Sequence, residues 1–303
     1  NSLNAKTNYE FDPKRFSSIS AITSAFKYRK LRLDLNLLHT VTKDWATLHK
    51  AFATQNHFSP FLSLLLKDSH YEISLFYKDI FRIPTFNDLY YNLVGEPNLK
   101  PEKAKQYNLH TAYFTSWGEE NYHNIYLGID LYHNKVKDKI VAVPRNNLFI
   151  WSMVNYGQVI VNGLELKLNY NHERFINKEN MKINLNLIYN YQQAIDSDKN
   201  SNTYLHQIQY TPRHSGNAIA TISLRDYSLA YTLSAVGKRY TMNENTERNS
   251  LAPYCEHSLS LSKTFKHWEI KISCNNLTNT KYEIIKSYPM CERNYNLSIK
   301  YKF

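Results

Sequence analysis

The feature that most constrains this chain is a strict alternation of apolar and polar residues that returns along its whole length. The last eleven residues, RNYNLSIKYKF, set Tyr295, Leu297, Ile299, Tyr301 and Phe303 against asparagine, serine and lysine. A period of two places each class on one face of a β-strand. Soluble sheets with one buried face and membrane barrels with a wet lumen both show this pattern. The terminal segment alone therefore leaves both architectures open.

The same alternation recurs upstream, and its polar face carries full charges. In KLRLDLNLL, LELKLNY and HWEIKISCNN, for example, Asp34, Lys167 and Lys271 stand between apolar residues. Because charged side chains are rarely buried unpaired, we expect that face to lie in water. Many of the predicted strands span about ten residues, which is enough to cross a bilayer at a tilt. The predicted strands are 16–26, 28–38, 56–66, 70–80, 104–116, 122–133, 158–170, 181–191, 217–225, 228–238, 254–265, 267–275 and 293–303.

Long and short connections alternate between these strands. An up-and-down barrel of the outer membrane has tight turns at one end and long loops at the other, so this alternation predicts an all-β, transmembrane antiparallel barrel over residues 1–303. Thirteen is an odd number, whereas single-chain bacterial barrels close with an even one; either one strand is miscounted or the chain is part of a larger barrel. The long connections are predicted at 39–55, 81–103, 134–157, 192–216, 239–253 and 276–292.

Composition and motifs argue against several other classes of protein. The formal net charge is +11, but the basic residues are spread along the chain, so we expect no nucleic-acid partner. With 7 glycines and no GxSxG or phosphate-binding loop, the sequence predicts no catalytic site, and it shows no metal-binding spacing or cofactor motif. Cys255, Cys274 and Cys291 are interpreted as isolated thiols, with a Cys255–Cys291 disulfide left open.

One stretch, FRIPTFNDLYYNLVGEPNLKPE at residues 81–102, resembles the barrel signature of TonB-dependent outer-membrane receptors. In that family an aromatic-Arg-x-Pro-Thr-Phe segment precedes a Leu-Tyr pair and an Asn-Pro-x-Leu-x-Pro-Glu stretch. Glu96 stands where the family more often has asparagine. The matching positions are Arg82, Pro84, Phe86, Leu89, Tyr90, Pro97, Leu99, Pro101 and Glu102.

Weaker resemblances follow in the order that the family shows. They are VNGLELKLNY, NNLTNTKYE and the final ERNYNLSIKYKF, in which Glu292 replaces the usual glycine. The family barrel has about 22 strands around a plugged lumen. The resemblance therefore implies that these are its last thirteen strands, and that the plug and the TonB-contacting segment lie outside this chain. It also implies that Phe303 is the residue read by the barrel-assembly machinery.

By the same resemblance, the function is active uptake of a scarce metal chelate (iron–siderophore, haem or cobalamin) across a Gram-negative outer membrane. The partners implied are outer-membrane lipid, the chelate, and the TonB complex acting through the N-terminal part. Haem receptors of the family carry a histidine between the two signature pieces, and TFNDLYYNLVG has none, which argues against haem. A passive outer-membrane channel and a surface binding protein are the alternatives.

Two sets of residues are singled out for roles. Arg82 and Glu102 are expected to pair at the rim, and the prolines of the signature to set the shape of an ordered loop. Aromatic and basic residues of the outer loops are candidates for substrate binding, because such residues stack on or attract a chelate. The candidates are Trp45, Tyr90, Tyr91, Arg145, Trp151, His206 and Tyr240.

Overall fold

The computed structural model describes residues 13–45, 54–119, 121–144, 151–176 and 179–302. These residues form seventeen strands, one α-helix, α1 (Phe86–Tyr90), and one 3₁₀ turn (Glu247–Asn249). The strands are β1 (Lys14–Tyr28), β2 (Leu31–Trp45), β3 (Gln55–Lys67), β4 (Tyr71–Arg82), β5 (Glu102–Trp117), β6 (Asn121–Pro144), β7 (Trp151–Ile176), β8 (Glu179–Asp196), β9 (His214–Leu224), β10 (Tyr227–Val236), β11 (Arg239–Tyr240), β12 (Ser250–Leu251), β13 (Tyr254–Phe265), β14 (Trp268–Asn275), β15 (Glu283–Ile285), β16 (Tyr288–Pro289) and β17 (Asn294–Tyr301).

Thirteen of the strands form a single antiparallel sheet in which every strand pairs with its neighbours along the chain. The order is β1-β2-β3-β4-β5-β6-β7-β8-β9-β10-β13-β14-β17. The remaining four make two short hairpins, β11–β12 and β15–β16, inside the long connections. Each of the thirteen predicted strands is present, and the predicted up-and-down antiparallel topology is confirmed.

Most of the short turns and long connections lie where they are predicted. Residues 29–30, 225–226 and 266–267 are two-residue turns, each with its first residue at positive φ (53°, 54° and 50°). The long connection predicted at 134–157 is wrong, because β6 and β7 continue as a paired hairpin to Pro144 and Trp151. Their alternation persists in this region, and inward residues such as Val136 and Val159 are buried, which keeps both strands in the wall.

The outer face of the sheet carries a broad band of exposed apolar side chains. On β6, Leu127, Ile129 and Leu131 are 42%, 42% and 46% exposed. Apolar area on this scale is not found on a protein surrounded by water, so the band is a lipid-facing surface. We call it the outer apolar band; it includes Ile73, Leu75, Leu109, Leu127, Ile129, Leu131, Leu166, Leu229, Leu261, Ile270 and Ile272. In the described part of the chain, no helix has the length and apolar character needed to span a membrane.

The inner face of the same strands is polar. His110 Nδ1 lies 3.0 Å from Asp130 Oδ1, and Lys167 pairs with Glu165 two residues away on β7. These side chains alternate with the outward leucines, as a wall between lipid and water requires. The charged face expected to meet water is therefore the face opposite the outer apolar band.

The buried core lies on the inner face, at the end of the sheet that carries the long connections. One cluster joins Phe86, Leu89, Tyr90 and Leu99 of the 83–101 connection to Ile140 on β6. A second cluster joins residues of β5, β6, β7 and β8 to Ile208 of the 197–213 connection. The long connections thus fold onto the inner face and cover it. The second cluster consists of Ala104, Val136, Val159, Val161, Ala194 and Ile208.

The three cysteines are free, so the disulfide left open by the sequence is not formed. Two residues singled out from the sequence, Arg145 and Phe303, lie outside the described residues. Their expected roles in substrate binding and in barrel assembly stay predictions.

Candidate functional site

The signature segment forms a compact connector rather than an open loop. Thr85 begins α1 with a capping box: Thr85 Oγ1 accepts from the Asp88 N–H at 3.1 Å, and Asp88 Oδ2 accepts from the Thr85 N–H at 2.8 Å. This reciprocal pair satisfies two backbone donors of a helix only five residues long. Phe86 and Leu89 are then directed into the inner-face core. The local sequence therefore fixes the path of the chain immediately after β4.

The ion pair expected between Arg82 and Glu102 is present. The two residues are opposite each other on β4 and β5, and Arg82 Nη1 lies 3.4 Å from Glu102 Oε2. Arg82 Nη2 also lies 3.2 Å from Asp88 Oδ2. The same Glu102 oxygen accepts the Ile140 N–H at 3.0 Å. These contacts join the signature connector to the extended β6–β7 hairpin, which is a structural role.

Three of the substrate-binding candidates lie on or near this connector. Tyr90 is only 4% exposed and packs in the core, and burial raises its pKa to about 12. Tyr91 follows α1 and is exposed. Trp45 ends β2, is exposed, and has the Lys43 ammonium 5.5 Å from its ring centroid. The structure presents Tyr91 and Trp45 at the surface and places Tyr90 inside the protein.

A larger site lies on the inner face, where the connections after β8 and β10 meet the β6–β7 hairpin. It is a cavity of about 460 Å³, which we call the loop cavity. Val236 and Tyr254 are opposite each other on β10 and β13, and they alternate with residues of the outer face. The lining residues are Lys139, Val141, Ala142, Trp151, Ile208, Gln209, Tyr210, Thr211, Pro212, Val236, Arg239, Tyr254, Ile284 and Ile285.

Arg239 is the central cation of the loop cavity. Its side chain is buried, and its Nη2 donates to the Glu283 carbonyl at 2.8 Å. Its guanidinium carbon lies 5.1 Å from the centroid of the Tyr254 ring, and that ring stacks on Tyr282 at 4.0 Å. The guanidinium thus lies over one ring of an aromatic pair, an arrangement that favours arginine over lysine.

A second cation, Lys139, also lines the cavity, immediately after the irregular backbone of Asp138. Asp138 has a φ of +52°, and Lys137 before it is exposed whereas Lys139 after it lines the cavity. Burial lowers the pKa of Lys139, and the nearby Glu102 carboxylate opposes that change. Glu102 therefore interacts both with Arg82 at the signature connector and with Lys139 of the loop cavity.

Three candidates from the sequence come together around the loop cavity. Trp151 lines it, with its ring centroid 6.1 Å from that of Tyr210. The Tyr240 carbonyl accepts the Tyr210 N–H at 2.7 Å. His206 Nδ1 lies 2.9 Å from the Asn243 carbonyl oxygen. The connections containing His206 and Tyr240 are thus bound to each other beside Trp151.

Sequence reasoning missed four lining residues that dominate the chemistry of the cavity. Lys139 lies in the segment 134–157, which is interpreted from the sequence as a loop. Tyr254 is the first residue of a predicted strand, and nothing in the sequence indicates that its side chain lines a cavity. Tyr210 and Arg239 lie in long connections with no decodable pattern. The cavity offers flat aromatic surface and two positive charges, which together suit a large anionic or conjugated solute.

The chain is similar in sequence to one family of known proteins. The family model for the TonB dependent receptor-like β-barrel matches residues 7–277. The vitamin B12 transporter BtuB of Vibrio vulnificus is 30% identical over 87 residues, 29% of this chain and 13% of that protein. The BtuB of Photobacterium profundum is 23% identical over 230 residues, 74% of this chain and 34% of that protein. The matched regions thus span at most about a third of these curated relatives.

Solved structures share the fold. The siderophore receptor PiuA from Acinetobacter baumannii superposes with a TM-score of 0.71 at 16% identity, covering 97% of this chain and 44% of that one. The family model covers most of the chain, and the fold is that of receptors and transporters rather than enzymes. The chain therefore belongs to the TonB-dependent receptor β-barrel family of the Gram-negative outer membrane.

Proposed function

We propose that this chain forms part of the wall and binding site of a receptor that takes up a scarce metal chelate by active transport. The observation that carries the proposal is the loop cavity, which lies on the inner face at the long-loop end. In bacterial barrels that end faces the exterior. A solute arriving from outside meets this cavity before it reaches the lumen.

The lining of the cavity supports a substrate class. Trp151, Tyr210 and Tyr254 offer flat surfaces for stacking, while Lys139 and Arg239 offer positive charge. Catecholate iron–siderophores combine aromatic groups with negative charge, and cobalamin combines a corrin ring with a phosphodiester. We infer uptake of a chelate of this kind, in line with the names of the vitamin B12 and siderophore relatives.

Energy coupling is assigned to other parts of the protein. The relatives are longer than this chain, and 13% to 44% of their lengths is matched. We propose that a plug and a TonB-contacting segment in other parts of the receptor act together with this wall. In that arrangement the wall supplies binding surface and the TonB complex supplies the force that opens the path.

Growth on one metal source at a time tests the proposal. A strain lacking the gene is complemented with the full-length receptor, or with its Trp151→Ala or Arg239→Gln variant. It is then supplied with a single iron–siderophore, with haem, or with cobalamin. Wild type is expected to restore growth on one source, and both variants to need at least about tenfold more of it, because each removes a lining group.

Matched controls separate the cavity from general damage. Trp117→Ala removes an exposed tryptophan at the short-turn end, and Arg248→Gln removes an exposed arginine on the 3₁₀ turn. Both are expected to grow as wild type. A deletion strain with no defect on any source contradicts the uptake proposal. Uptake that continues after energy depletion favours a passive channel, and binding without uptake favours a surface binding protein.

A further inference from the structure

Four lysines form a cluster on β5 and β6 that the uptake proposal does not use. Lys103 is directly opposite Lys137, and Lys105 is directly opposite Lys135. All four are exposed. Like charges facing each other across a strand pair destabilise a sheet, so two such pairs side by side are a cost to the fold. We call these four residues the lysine patch.

The lysine patch lies on the outer face. Ala104 and Val136 alternate with the lysines along their strands, and they are 7% and 8% exposed in the inner-face core. Because successive residues of a strand point to opposite sides, the lysines point away from the lumen. The patch therefore faces whatever surrounds the wall, not the solute path.

The position of the lysine patch relative to the membrane follows from its distance to the outer apolar band. Along β5 the outward residues run Lys103, Lys105, Tyr107, Leu109, and Leu109 belongs to the band. At about 3.3 Å per residue, Lys105 lies roughly 13 Å along the strand from Leu109. Tyr107 stands between them with its ring 5.1 Å from that of Tyr77, in the position of a membrane-interface aromatic. The lysines are thus at headgroup level.

The patch lies at the exterior end of the wall. The ends of β5 and β6 nearest the patch are Glu102 and Pro144. Glu102 directly follows the long 83–101 connection, and Pro144 ends the β6 strand of the extended β6–β7 hairpin. The short turns are at the opposite ends of the same strands. Long connections face outward in bacterial barrels, so the lysines meet the outer leaflet.

No counter-charge neutralises the patch among the described residues. None of the four lysines has a carboxylate within 4.0 Å in that part of the chain. Asp79 is opposite Lys105 on β4, but its carboxylate is bonded to His57 Nε2 at 2.9 Å. On the other side, β7 presents only neutral Gln158 and Ile160 to this row. The four lysines therefore form no ion pair among the described residues, and with the Asp79 carboxylate opposite Lys105 this row carries a net charge of about +3.

An apolar groove begins directly below the patch. Its volume is about 460 Å³, and it runs between outward side chains of β4 to β8 toward the middle of the outer apolar band. Tyr107 and His133, each two residues from a lysine of the patch, stand at its upper end. The outward side chains along it are Leu75, Tyr107, Leu109, Leu131, His133, Asn162, Leu164 and Tyr191, of which Asn162 bonds to His133 Nδ1 at 2.6 Å.

We propose that the lysine patch and this groove bind lipopolysaccharide, the phosphorylated glycolipid of the outer leaflet. Its phosphates would meet the four ammonium groups, and an acyl chain would lie in the groove. Charge complementarity and the apolar continuation below the patch carry the proposal. The bound lipid also relieves the repulsion between the two lysine pairs. The inference goes beyond uptake and does not depend on which solute is transported.

Binding of purified lipid A tests the proposal. The full-length receptor, freed of bound lipid in a non-ionic detergent, is titrated with bisphosphorylated lipid A and with the same lipid after its phosphates are removed. The patch variant carries Lys103→Gln, Lys105→Gln, Lys135→Gln and Lys137→Gln. We expect it to bind the phosphorylated lipid at least about tenfold more weakly than wild type. Wild type is expected to bind the dephosphorylated lipid about as weakly as the variant does.

A control of equal charge change makes the result specific. It replaces four exposed lysines elsewhere with glutamine: Lys266, Lys271, Lys281 and Lys300. This control should bind within about twofold of wild type. If the patch variant does not fold, the paired variants Lys103→Gln/Lys137→Gln and Lys105→Gln/Lys135→Gln replace it, each expected to weaken binding severalfold. Unchanged binding by the folded patch variants, or equal binding of dephosphorylated lipid by wild type, overturns the proposal.

Discussion

Glu102 holds Arg82 and the Ile140 backbone N–H with one carboxylate oxygen, at 3.4 Å and 3.0 Å. Arg82 in turn reaches Asp88, the residue that closes the capping box of α1. The ends of β4 and β5, the signature connector and the β6–β7 hairpin are therefore joined through two side chains. This explains in physical terms why the signature segment combines a basic residue, prolines and an acidic residue around one short helix.

Glu102→Ala is expected to destabilise the protein by about 1–3 kcal/mol, because it leaves the Ile140 N–H without its acceptor and removes one of the two carboxylate contacts of Arg82. Urea unfolding in detergent, followed by tryptophan fluorescence, measures the effect. Glu72→Ala is the matched control, since Glu72 forms an exposed pair with Lys67 at 2.8 Å. The control should cost less than about 1 kcal/mol. Equal losses for both variants would contradict the joining role of Glu102.

Asp88→Ala is expected to loosen residues 83–101 locally. The change removes the acceptor of the Thr85 N–H and one contact of Arg82, and loss of such a cap costs about 0.5–2 kcal/mol. Hydrogen exchange of peptides from this connector should become severalfold faster, while exchange in β13 and β14 stays unchanged. Asn92→Ala is the control, because Asn92 is exposed in the same connector. Matching exchange rates in the two variants would rule out the capping role.

Gly163→Ala is expected to disturb the inner face, because the Tyr132 ring covers this glycine. A Cβ at position 163 would lie 2.0 Å from Tyr132 Cζ, so the ring must move and lose its 3.2 Å bond to Gln192. We expect a cost of about 1–3 kcal/mol in the free energy of unfolding, measured in urea. In the background Tyr132→Leu the same substitution should cost less than half as much. An undiminished cost in that background would place the strain elsewhere.

Strand positions were predictable because a period of two is a local signal that every strand of this wall repeats. The error at 134–157 has a physical cause: the β6–β7 hairpin continues beyond the outer apolar band, where the outward positions become lysine, as at Lys135 and Lys137. A change from leucine to lysine looks like the end of a strand. It is instead the boundary between lipid-facing and headgroup-level surface.

The candidate site was only partly predictable for a different reason. Trp151 could be singled out as an aromatic residue near a loop, but the cavity around it is built by tertiary contacts. Arg239 reaches Tyr254 and the Glu283 carbonyl through three separate segments, and no local pattern records that meeting. Arg82 and Glu102, by contrast, flank one connector between paired strands, so their contact follows from sequence position.

Tyr156 provides a last prediction, on alkaline stability. It lies in the part of β7 beyond the membrane, and its hydroxyl bonds to Asn243 of the 237–253 connection. Burial raises its pKa to about 12. A group whose folded pKa lies above its unfolded value near 10 contributes stability that is fully present below about pH 10 and is lost as the pH rises to about 12.

Tyr156→Phe should therefore change the pH dependence of stability as well as its level. At pH 8 we expect a loss of about 1 kcal/mol from the missing hydrogen bond. Between pH 10 and 12 the variant should lose less stability than wild type, because the group that would have to ionise is gone.

Urea midpoints measured from pH 8 to 12 in non-ionic detergent give both quantities. Tyr204→Phe, at an exposed tyrosine of the 197–213 connection, is the control and should follow wild type. If the stability of Tyr156→Phe falls as steeply with pH as that of wild type above pH 10, ionisation of this buried hydroxyl is not the cause of the alkaline loss of stability.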